Sequence, residues 1–249
     1  MGCYRVFRKV IQESRVWFGI NNAAALKVEI DYMLWIEQIF GTSSPPSHLI
    51  VVCLGSYILG CFSTGYYLIR FRLGQDIREL GSGNAGARNV GRIAGAPGFL
   101  LTLSVDFAKG AGAVWVTRHF TRDDHLAAFA MLAVVMGHIW PLQLGFGGGK
   151  GIATSIGALV IYDFPLALAF AGIFTGVFCI LRRGTLSGLL AFALIPVAAI
   201  FLGREAWQVI ILLPLAGLVL LAHRKNVAEE VANIVARRST QAKTNQSFK

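Results

Sequence analysis

Residues 49–71 read LIVVCLGSYILGCFSTGYYLIRF, a long and almost uninterrupted apolar run. A transmembrane helix needs about 20 predominantly apolar residues to cross the hydrocarbon core of a bilayer. The one charged side chain of the run, Arg70, stands next to its end. The run therefore predicts a helix that spans a membrane.

The composition of the whole chain agrees with lipid surroundings. Hydrophobic residues make up 55% of the 249 residues, charged residues make up only 14%, and the mean hydropathy is +0.60. A soluble domain usually carries about 25% charged residues. The shortage of charge favours lipid over water around most of the chain.

Six further apolar runs follow the first one. They cover residues 98–116, 126–144, 152–161, 166–181, 186–202 and 207–222. The run at residues 152–161 is short, and no internal repeat is evident among the segments. We predict an all-α fold, a polytopic membrane helix bundle of about seven spans.

Basic residues are distributed unevenly between the loops. The loops after the odd-numbered runs hold Arg70 to Arg92, Lys150, Arg182 with Arg183, and Arg224 onward. The loops after the even-numbered runs hold Arg118, Arg122 and Arg204. Since cytoplasmic loops carry an excess of Lys and Arg, we expect the N-terminus outside and the C-terminus in the cytoplasm. This topology accounts for the net charge of +10, so no nucleic-acid partner is expected.

The chain divides by composition into three parts. Residues 1–47 mix charges with short apolar pieces and end in the turn-rich linker GTSSPPS, so they form an N-terminal extension of unknown role. Residues 48–235 form the membrane domain, and residues 236–249 form a polar C-terminal tail. The four cysteines form no C-x-x-C pair and are expected to be small buried hydrophobic residues rather than a disulfide or metal set.

Two glycine-rich stretches resemble nucleotide-binding motifs but lack the residues or secondary structure that those motifs require. ELGSGNAGARNVGR, at residues 79–92, contains a G-x-G-x-x-G pattern. A dinucleotide fold needs a strand before these glycines and a βαβ unit around them, whereas apolar runs of membrane length stand on both sides here. GFGGGKGI, at residues 145–152, has Gly151 where a P-loop has Ser or Thr after its lysine.

The chemistry of these loops still points to an anion. Glycines let backbone N–H groups approach a phosphate closely, and arginine presents a planar fork that suits it. Both loops fall on the predicted cytoplasmic side. They predict a phosphate-handling site at the inner face of the membrane.

Ionisable residues within or beside the runs are further candidates. Asp106 and Lys109 are three residues apart, so they share one helix face, and such groups within a span are costly and usually functional. A structural ion pair is the alternative for them. For His138 the alternative is a packing role at a helix end, and for His223 it is a flank that stops translocation.

Three stretches together resemble the signature motifs of the bacterial acyl-phosphate-dependent glycerol-3-phosphate acyltransferases. They are GSGNAGARNVGR, DFAKG and GHIWPLQLGFGGGKGIAT, and their order and spacing fit that family. HRKN, at residues 223–226, resembles the end of the family's last span, and RRGTLSG resembles the stretch that opens its sixth. The resemblance covers roughly residues 49–235.

The family resemblance implies both a location and a reaction. It implies a multi-pass enzyme of the bacterial inner membrane with its active site at the cytoplasmic face. The enzyme would transfer a fatty acyl group from acyl phosphate to the 1-hydroxyl of glycerol 3-phosphate. The products would be lysophosphatidic acid and inorganic phosphate, in the first acylation step of phospholipid synthesis.

The resemblance also assigns roles to individual residues. Catalytic roles fall on Ser82, Asn84, His138 and His223. Substrate-binding roles fall on Gly83, Arg92, Lys109, Gly149, Lys150, Thr154, Thr185 and Asn226. No cofactor and no metal are expected. The partners are the two substrates and membrane lipid, with room for contact with the enzyme that produces acyl phosphate.

The chain departs from the family pattern at four positions. Ala85 stands where proline is common, and Thr185 stands for the usual serine. Arg88 replaces a small residue, usually threonine, while Gly147 stands where lysine is common. We interpret Arg88 as a cation that compensates for the one missing at position 147.

Other functions and other proton routes stay open on the sequence. A transporter for a phosphorylated solute also has Gly-interrupted segments near charges, although it usually has repeated halves and a site near the midplane. A related acyltransferase with another donor or acceptor is a second alternative. For the reaction itself, His138, His223 or the leaving phosphate could accept the hydroxyl proton.

Overall fold

The structure is a computed structural model that describes residues 44–225 and residue 228. The chain separates into two compact units, Met1–His48 and Leu49–Lys249. The fold below is that of the second unit together with the start of its first helix. Nearly all of the extension, the tail at residues 236–249 and Asn226 lie outside the described residues, and the domain limits at residues 47 and 235 stay predictions.

The described part of the chain is all-helical and contains eight α-helices. They are α1 (Pro46–Cys61), α2 (Thr64–Leu73), α3 (Ala87–Thr121), α4 (Asp124–Ile139), α5 (Ile152–Tyr162), α6 (Phe164–Leu181), α7 (Gly184–Phe201) and α8 (Ala206–Ala222). Two short 3₁₀ turns, Ile77–Glu79 and Leu142–Leu144, lie in the connections. Five segments are long and apolar enough to cross a membrane, while α5 and α8 are shorter apolar helices. The predicted polytopic helix bundle is confirmed.

The first predicted span is broken into α1 and α2 at Phe62 and Ser63. Ser63 adopts an extended conformation, with φ −101° and ψ 93°, and precedes the first residue of α2. A break of this kind leaves carbonyl groups without helical partners. The Lys109 ammonium of α3 supplies donors to two of them, the carbonyl oxygens of Gly60 and Phe62.

The second predicted span also differs, because α3 begins eleven residues before the apolar run that predicted it. The expectation that Arg88 and Arg92 lie in a loop is therefore wrong; both lie on the N-terminal part of α3. Gly95 interrupts this helix with φ 72° and ψ −170°, and Pro97 follows it. Since only glycine adopts this conformation readily, the kink separates the polar start of α3 from its apolar part.

Close packing of α3 against α5 forms the centre of the bundle. A Cβ atom added to Gly110 would lie 2.0 Å from the Thr154 carbonyl oxygen, and one added to Gly157 would lie 2.0 Å from that of Phe107. Small residues allow helices in lipid to approach this closely. Val114, Leu159 and Phe192 are fully buried in the core around this contact.

The connections between helices gather alternately at two ends of the bundle. At one end, Asn84 contacts Gly148, and Arg88 contacts Thr185. At the other end, Arg118 donates to the Ile161 carbonyl oxygen at 2.6 Å. Asp163 pairs there with Arg204 at 2.7 Å. We call the first of these the glycine-loop end.

Candidate active site

The first glycine loop, residues 80–86, is shaped by a side chain of the helix that follows it. Asn89, buried in the first turn of α3, accepts a hydrogen bond from the Ser82 backbone N–H at 2.8 Å. It also donates to the Leu80 carbonyl oxygen at 2.9 Å. Gly81 has φ 58°, and a Cβ atom there would lie 2.3 Å from the Asn89 amide oxygen. The loop therefore needs glycine at position 81.

Asn84 connects this loop to the next one. Its side-chain oxygen accepts from the Gly86 backbone N–H at 2.9 Å. Its amide nitrogen lies 3.4 Å from the Gly148 carbonyl oxygen, 64 residues further along the chain. Ser82 and Gly83 are exposed on the outer side of the same loop. Two predicted motifs thus meet through Asn84.

The second glycine loop, residues 145–151, folds back over the end of α4. Its Gly149 N–H donates to the His138 carbonyl oxygen at 3.0 Å. A Cβ atom on Gly149 would lie 2.1 Å from the His138 Nε2 atom, so only glycine fits there. Gly151, with φ 83°, turns the chain into α5 and leaves Lys150 partly exposed beside the start of that helix.

His138 and Lys109 lie beneath these loops rather than on them. His138 is only 5% exposed, and its Nδ1 atom lies 3.6 Å from the Asp106 Oδ1 atom. Lys109 pairs with Asp106 at 2.9 Å, and its Nζ atom lies 3.1 Å and 2.7 Å from the carbonyl oxygens of Gly60 and Phe62. An ammonium has three donors, and these three oxygens use them all. Contact between Lys109 and a substrate would require one of these bonds to be exchanged.

His223 lies just after α8 at the glycine-loop end. Its Nδ1 atom lies 2.8 Å from the Val219 carbonyl oxygen, an arrangement that assigns the proton to Nδ1 and leaves Nε2 as an acceptor. Burial lowers the pKa of His223, and the charges of Lys150 and Arg88 lower this pKa further. The imidazole is therefore neutral near pH 7, as a proton acceptor must be.

Arg88 and Thr185 bring a third connection to the same end. The Arg88 guanidinium donates a hydrogen bond to the Thr185 hydroxyl, so the first turns of α3 and α7 are joined. Arg92 is exposed one turn further along α3. Thr154 differs from these residues, because its side chain is fully buried in α5, and Asn226 lies beyond the described residues.

Three helices therefore direct their N-termini to the glycine-loop end. α3 begins after Gly86, α5 after Gly151 and α7 after Arg183. Helix N-termini present unpaired N–H groups and a partial positive charge, which favour a phosphate. With Arg88, Arg92 and Lys150 beside them, this end can bind more than one anionic group.

Two polar residues at this end, Asp76 and Arg78, were not among the predicted site residues. They form an ion pair at 2.6 Å just before the first glycine loop, which Asn89 shapes. The Arg78 guanidinium lowers the pKa of Asp76, and Asp76 in turn raises the pKa of Arg78. The sequence DIR, directly before the glycine motif, could have drawn attention to this pair. The contacts of Arg78 with distant residues could not be read from it, because they form only in the folded chain.

The comparisons with known proteins agree with this geometry. The family model described as glycerol-3-phosphate acyltransferase matches residues 50–233. "Glycerol-3-phosphate acyltransferase 1" of Desulfitobacterium hafniense is 45% identical over 72% of this chain and 89% of the relative. "Glycerol-3-phosphate acyltransferase" of Parasynechococcus marenigrum is 36% identical over 74% of this chain and 86% of the relative.

Solved structures give the same result. The crystal structure of PlsY (YgiH), "an integral membrane glycerol 3-phosphate acyltransferase", in its glycerol 3-phosphate form superposes with a TM-score of 0.69 and 28% identity. It covers 74% of this chain and 92% of that protein. The residues matched by the family model, 50–233, include both glycine loops. The chain belongs to the glycerol-3-phosphate acyltransferase family and is a membrane acyltransferase.

Proposed function

We propose that this protein transfers a fatty acyl group from acyl phosphate to the 1-hydroxyl of glycerol 3-phosphate. The products are lysophosphatidic acid and inorganic phosphate. The observation that carries this proposal is the meeting of three helix N-termini, α3, α5 and α7, with basic side chains at one end of the bundle.

Two phosphate groups must lie near the reacting carbon if acyl phosphate is the donor. One belongs to glycerol 3-phosphate and the other is bonded directly to the acyl carbon. Several anion-binding groups at one end suit that pair of substrates. An acyl thioester carries no phosphate next to its acyl carbon, so it would leave part of this positive site unused.

We assign the phosphate contacts to side chains and backbone at this end. Arg92, Lys150, Thr185 and Asn226 bind phosphate oxygens. Gly149, whose N–H is bonded to the His138 carbonyl oxygen, contributes by shaping the second glycine loop. Lys109 takes part by exchanging one of its carbonyl partners, and Thr154 by supporting the start of α5. Charge-assisted bonds of this kind are roughly twice as strong as neutral ones.

Ser82, Gly83 and Asn84 hold the acyl phosphate at the first glycine loop. The Ser82 hydroxyl is exposed, while the loop backbone is fixed by Asn89. Hydrogen-bond donors that are already oriented stabilise the oxyanion that develops on the acyl carbonyl oxygen. Acyl phosphate is a mixed anhydride, so no covalent enzyme intermediate is needed.

The reaction is a direct displacement at the acyl carbon. The 1-hydroxyl oxygen of glycerol 3-phosphate forms the new ester bond, and the bond from the acyl carbon to the phosphate oxygen breaks. Phosphate leaves with the electron pair. The Nε2 atom of His223 accepts the hydroxyl proton, which its neutral imidazole supports; the leaving phosphate is the alternative acceptor. His138 is buried beneath Gly149 and serves in this scheme by holding the second glycine loop.

The location follows from the same reasoning. We place the protein in the bacterial inner membrane, with the N-terminus outside and the glycine-loop end and C-terminus at the cytoplasm. The basic residues of this end support that orientation. The cytoplasm also supplies glycerol 3-phosphate and the enzyme that produces acyl phosphate.

A donor competition experiment tests the proposal. Purified protein in lipid receives glycerol 3-phosphate with palmitoyl phosphate, palmitoyl-CoA or palmitoyl acyl carrier protein. We expect phosphate release and lysophosphatidic acid from palmitoyl phosphate, and loss of both in Lys150→Ala. Product from a thioester donor instead would overturn the assignment of the donor. Accumulation of glycerol 3-phosphate inside vesicles without acylation would support transport.

A further inference from the structure

Arg78 stands two residues before the first glycine loop, and its side chain reaches the start of the second. It belongs to the 3₁₀ turn Ile77–Glu79, six residues before Asn84. Its side chain reaches the end of the second 3₁₀ turn, 66 residues further along the chain. Nothing in the proposed reaction uses this guanidinium directly.

Asp76 fixes one edge of the guanidinium. The carboxylate accepts from Arg78 Nη2 at 2.6 Å and from Nε at 3.0 Å, and it also accepts from the Arg78 backbone N–H at 2.9 Å. A fork of this kind fixes the plane of the group as well as its position. The Tyr66 ring lies 5.5 Å from the Arg78 Cζ atom and covers one face of that plane.

The other edge of the guanidinium, which carries Nη1, points at the second glycine loop. Nη1 donates to the Leu144 carbonyl oxygen. The same oxygen accepts the Gly147 N–H at 3.3 Å, which closes the turn that starts the loop. A Cβ atom on Gly147 would lie 3.2 Å from Nη1 and 3.4 Å from Cδ of Arg78. Arg78 therefore lies directly against this glycine.

The backbone under Arg78 is firmly packed. Ile77 is fully buried in a small core with Ile69 and Val90, and Ala85 of the first glycine loop belongs to the same core. α2 supports that loop closely, since a Cβ atom on Gly65 would lie 2.1 Å from the Ala85 carbonyl oxygen. A side chain anchored here transmits the position of the first loop to the second.

We propose that Arg78, oriented by Asp76, is a positioning residue that holds the second glycine loop in register with the first and so determines where Lys150 lies. Asp76 neutralises its charge, so Arg78 contributes geometry rather than an additional cation. The expected loss of turnover in an Arg78 variant rests on the proposed function, whereas the expected loosening of the second glycine loop does not.

Matched variants separate this role from general stability. Arg78→Met removes the fork but keeps an extended side chain, whereas Arg78→Lys keeps the charge without the fork. Arg72→Met is the control, because it removes a basic residue that is exposed on α2. Each variant is purified as the full chain in lipid. Measurements are kcat and KM with palmitoyl phosphate and glycerol 3-phosphate, the thermal midpoint, and backbone hydrogen exchange.

We expect Arg78→Met to lower kcat about tenfold to a hundredfold, since small displacements of a binding group cost this much. Arg78→Lys should lose less, and Arg72→Met should match the wild type. Hydrogen exchange at residues 142–151 should become faster in Arg78→Met while α6 and α7 keep their protection. If Arg78→Met does not fold, Asp76→Asn should show a smaller change of the same kind.

Two results would overturn the proposal. One is a wild-type kcat and unchanged exchange at residues 142–151 in Arg78→Met. The other is faster exchange in every helix with kcat per folded molecule unchanged, which would make Arg78 a general stabilising residue. If wild type does not use palmitoyl phosphate, the proposed function fails, and the exchange measurement still decides the role of Arg78.

Discussion

Arg88 donates a hydrogen bond to the Thr185 hydroxyl, which joins the first turn of α3 to the first turn of α7 across 97 residues of sequence. Arg88 also contributes a charge that lowers the pKa of His223. The position thus belongs to the glycine-loop end even though the family pattern has a small residue there. Its guanidinium supplies both the hydrogen bond and a charge at the site, because a bond to a hydroxyl leaves the charge in place.

Replacing Arg88 distinguishes these two roles. We expect Arg88→Met to raise the KM for glycerol 3-phosphate about tenfold, because a positive charge beside the phosphate-binding groups is lost. Thr185→Val keeps the charge and removes the bonded hydroxyl, so its KM should change less. Steady-state kinetics at fixed acyl phosphate measure both. An equal rise in the two variants would show that the Thr185 hydroxyl, through its bond to Arg88 or its own phosphate contact, matters as much as the charge.

The pH dependence of turnover should report on His223. Its pKa is lowered in the folded protein, so the neutral form that accepts a proton is present at pH 7 and is lost only on acidification. We expect kcat/KM, which reports the free enzyme, to fall only at pH values below the ordinary histidine pKa of about 6.5. His223→Asn should be slow at every pH and should lack this acid limb. A limb that persists in His223→Asn would favour the leaving phosphate as acceptor.

Lys109 and Asp106 should depend on each other for stability. Removing one partner of a buried ion pair leaves an uncompensated charge, which costs about 3–5 kcal/mol. We expect Lys109→Met to lower the thermal midpoint strongly, and the double variant Asp106→Asn/Lys109→Met to recover part of the loss. Thermal unfolding in one detergent compares them. A Lys109→Met protein with unchanged stability and no activity would indicate that Lys109 acts only on substrate.

Asn89 should be needed for the shape of the first glycine loop. Its side chain is buried and bonds two backbone groups of that loop, so Asn89→Leu leaves the Ser82 N–H without its partner. Each hydrogen bond lost costs about 0.5–1.5 kcal/mol. We expect a lower thermal midpoint and a loss of turnover of about tenfold. Asn89→Asp keeps the acceptor for Ser82 and should retain more activity, which a direct comparison of the two variants would check.

The membrane-spanning helices could be predicted from the hydropathy pattern of the sequence alone. Helices in lipid must satisfy their backbone internally, so the apolar runs identified the spans without knowledge of their neighbours. The runs at residues 166–181 and 186–202 match α6 and α7 to within two residues at each end. The break at Phe62 and Ser63 could not be predicted in this way, because it depends on Lys109 supplying donors from α3.

The sequence by itself determined the membrane spans, the two glycine loops and the family, because hydropathy and glycine geometry are local properties of the chain. Only the tertiary structure decided which polar groups meet. Asn84 reaches Gly148, Arg78 reaches Leu144, and Arg88 reaches Thr185 across 64, 66 and 97 residues. Such contacts depend on helix lengths, kinks and close packing at glycine together. Local sequence patterns do not predict the combined effect of these features on the positions of distant residues.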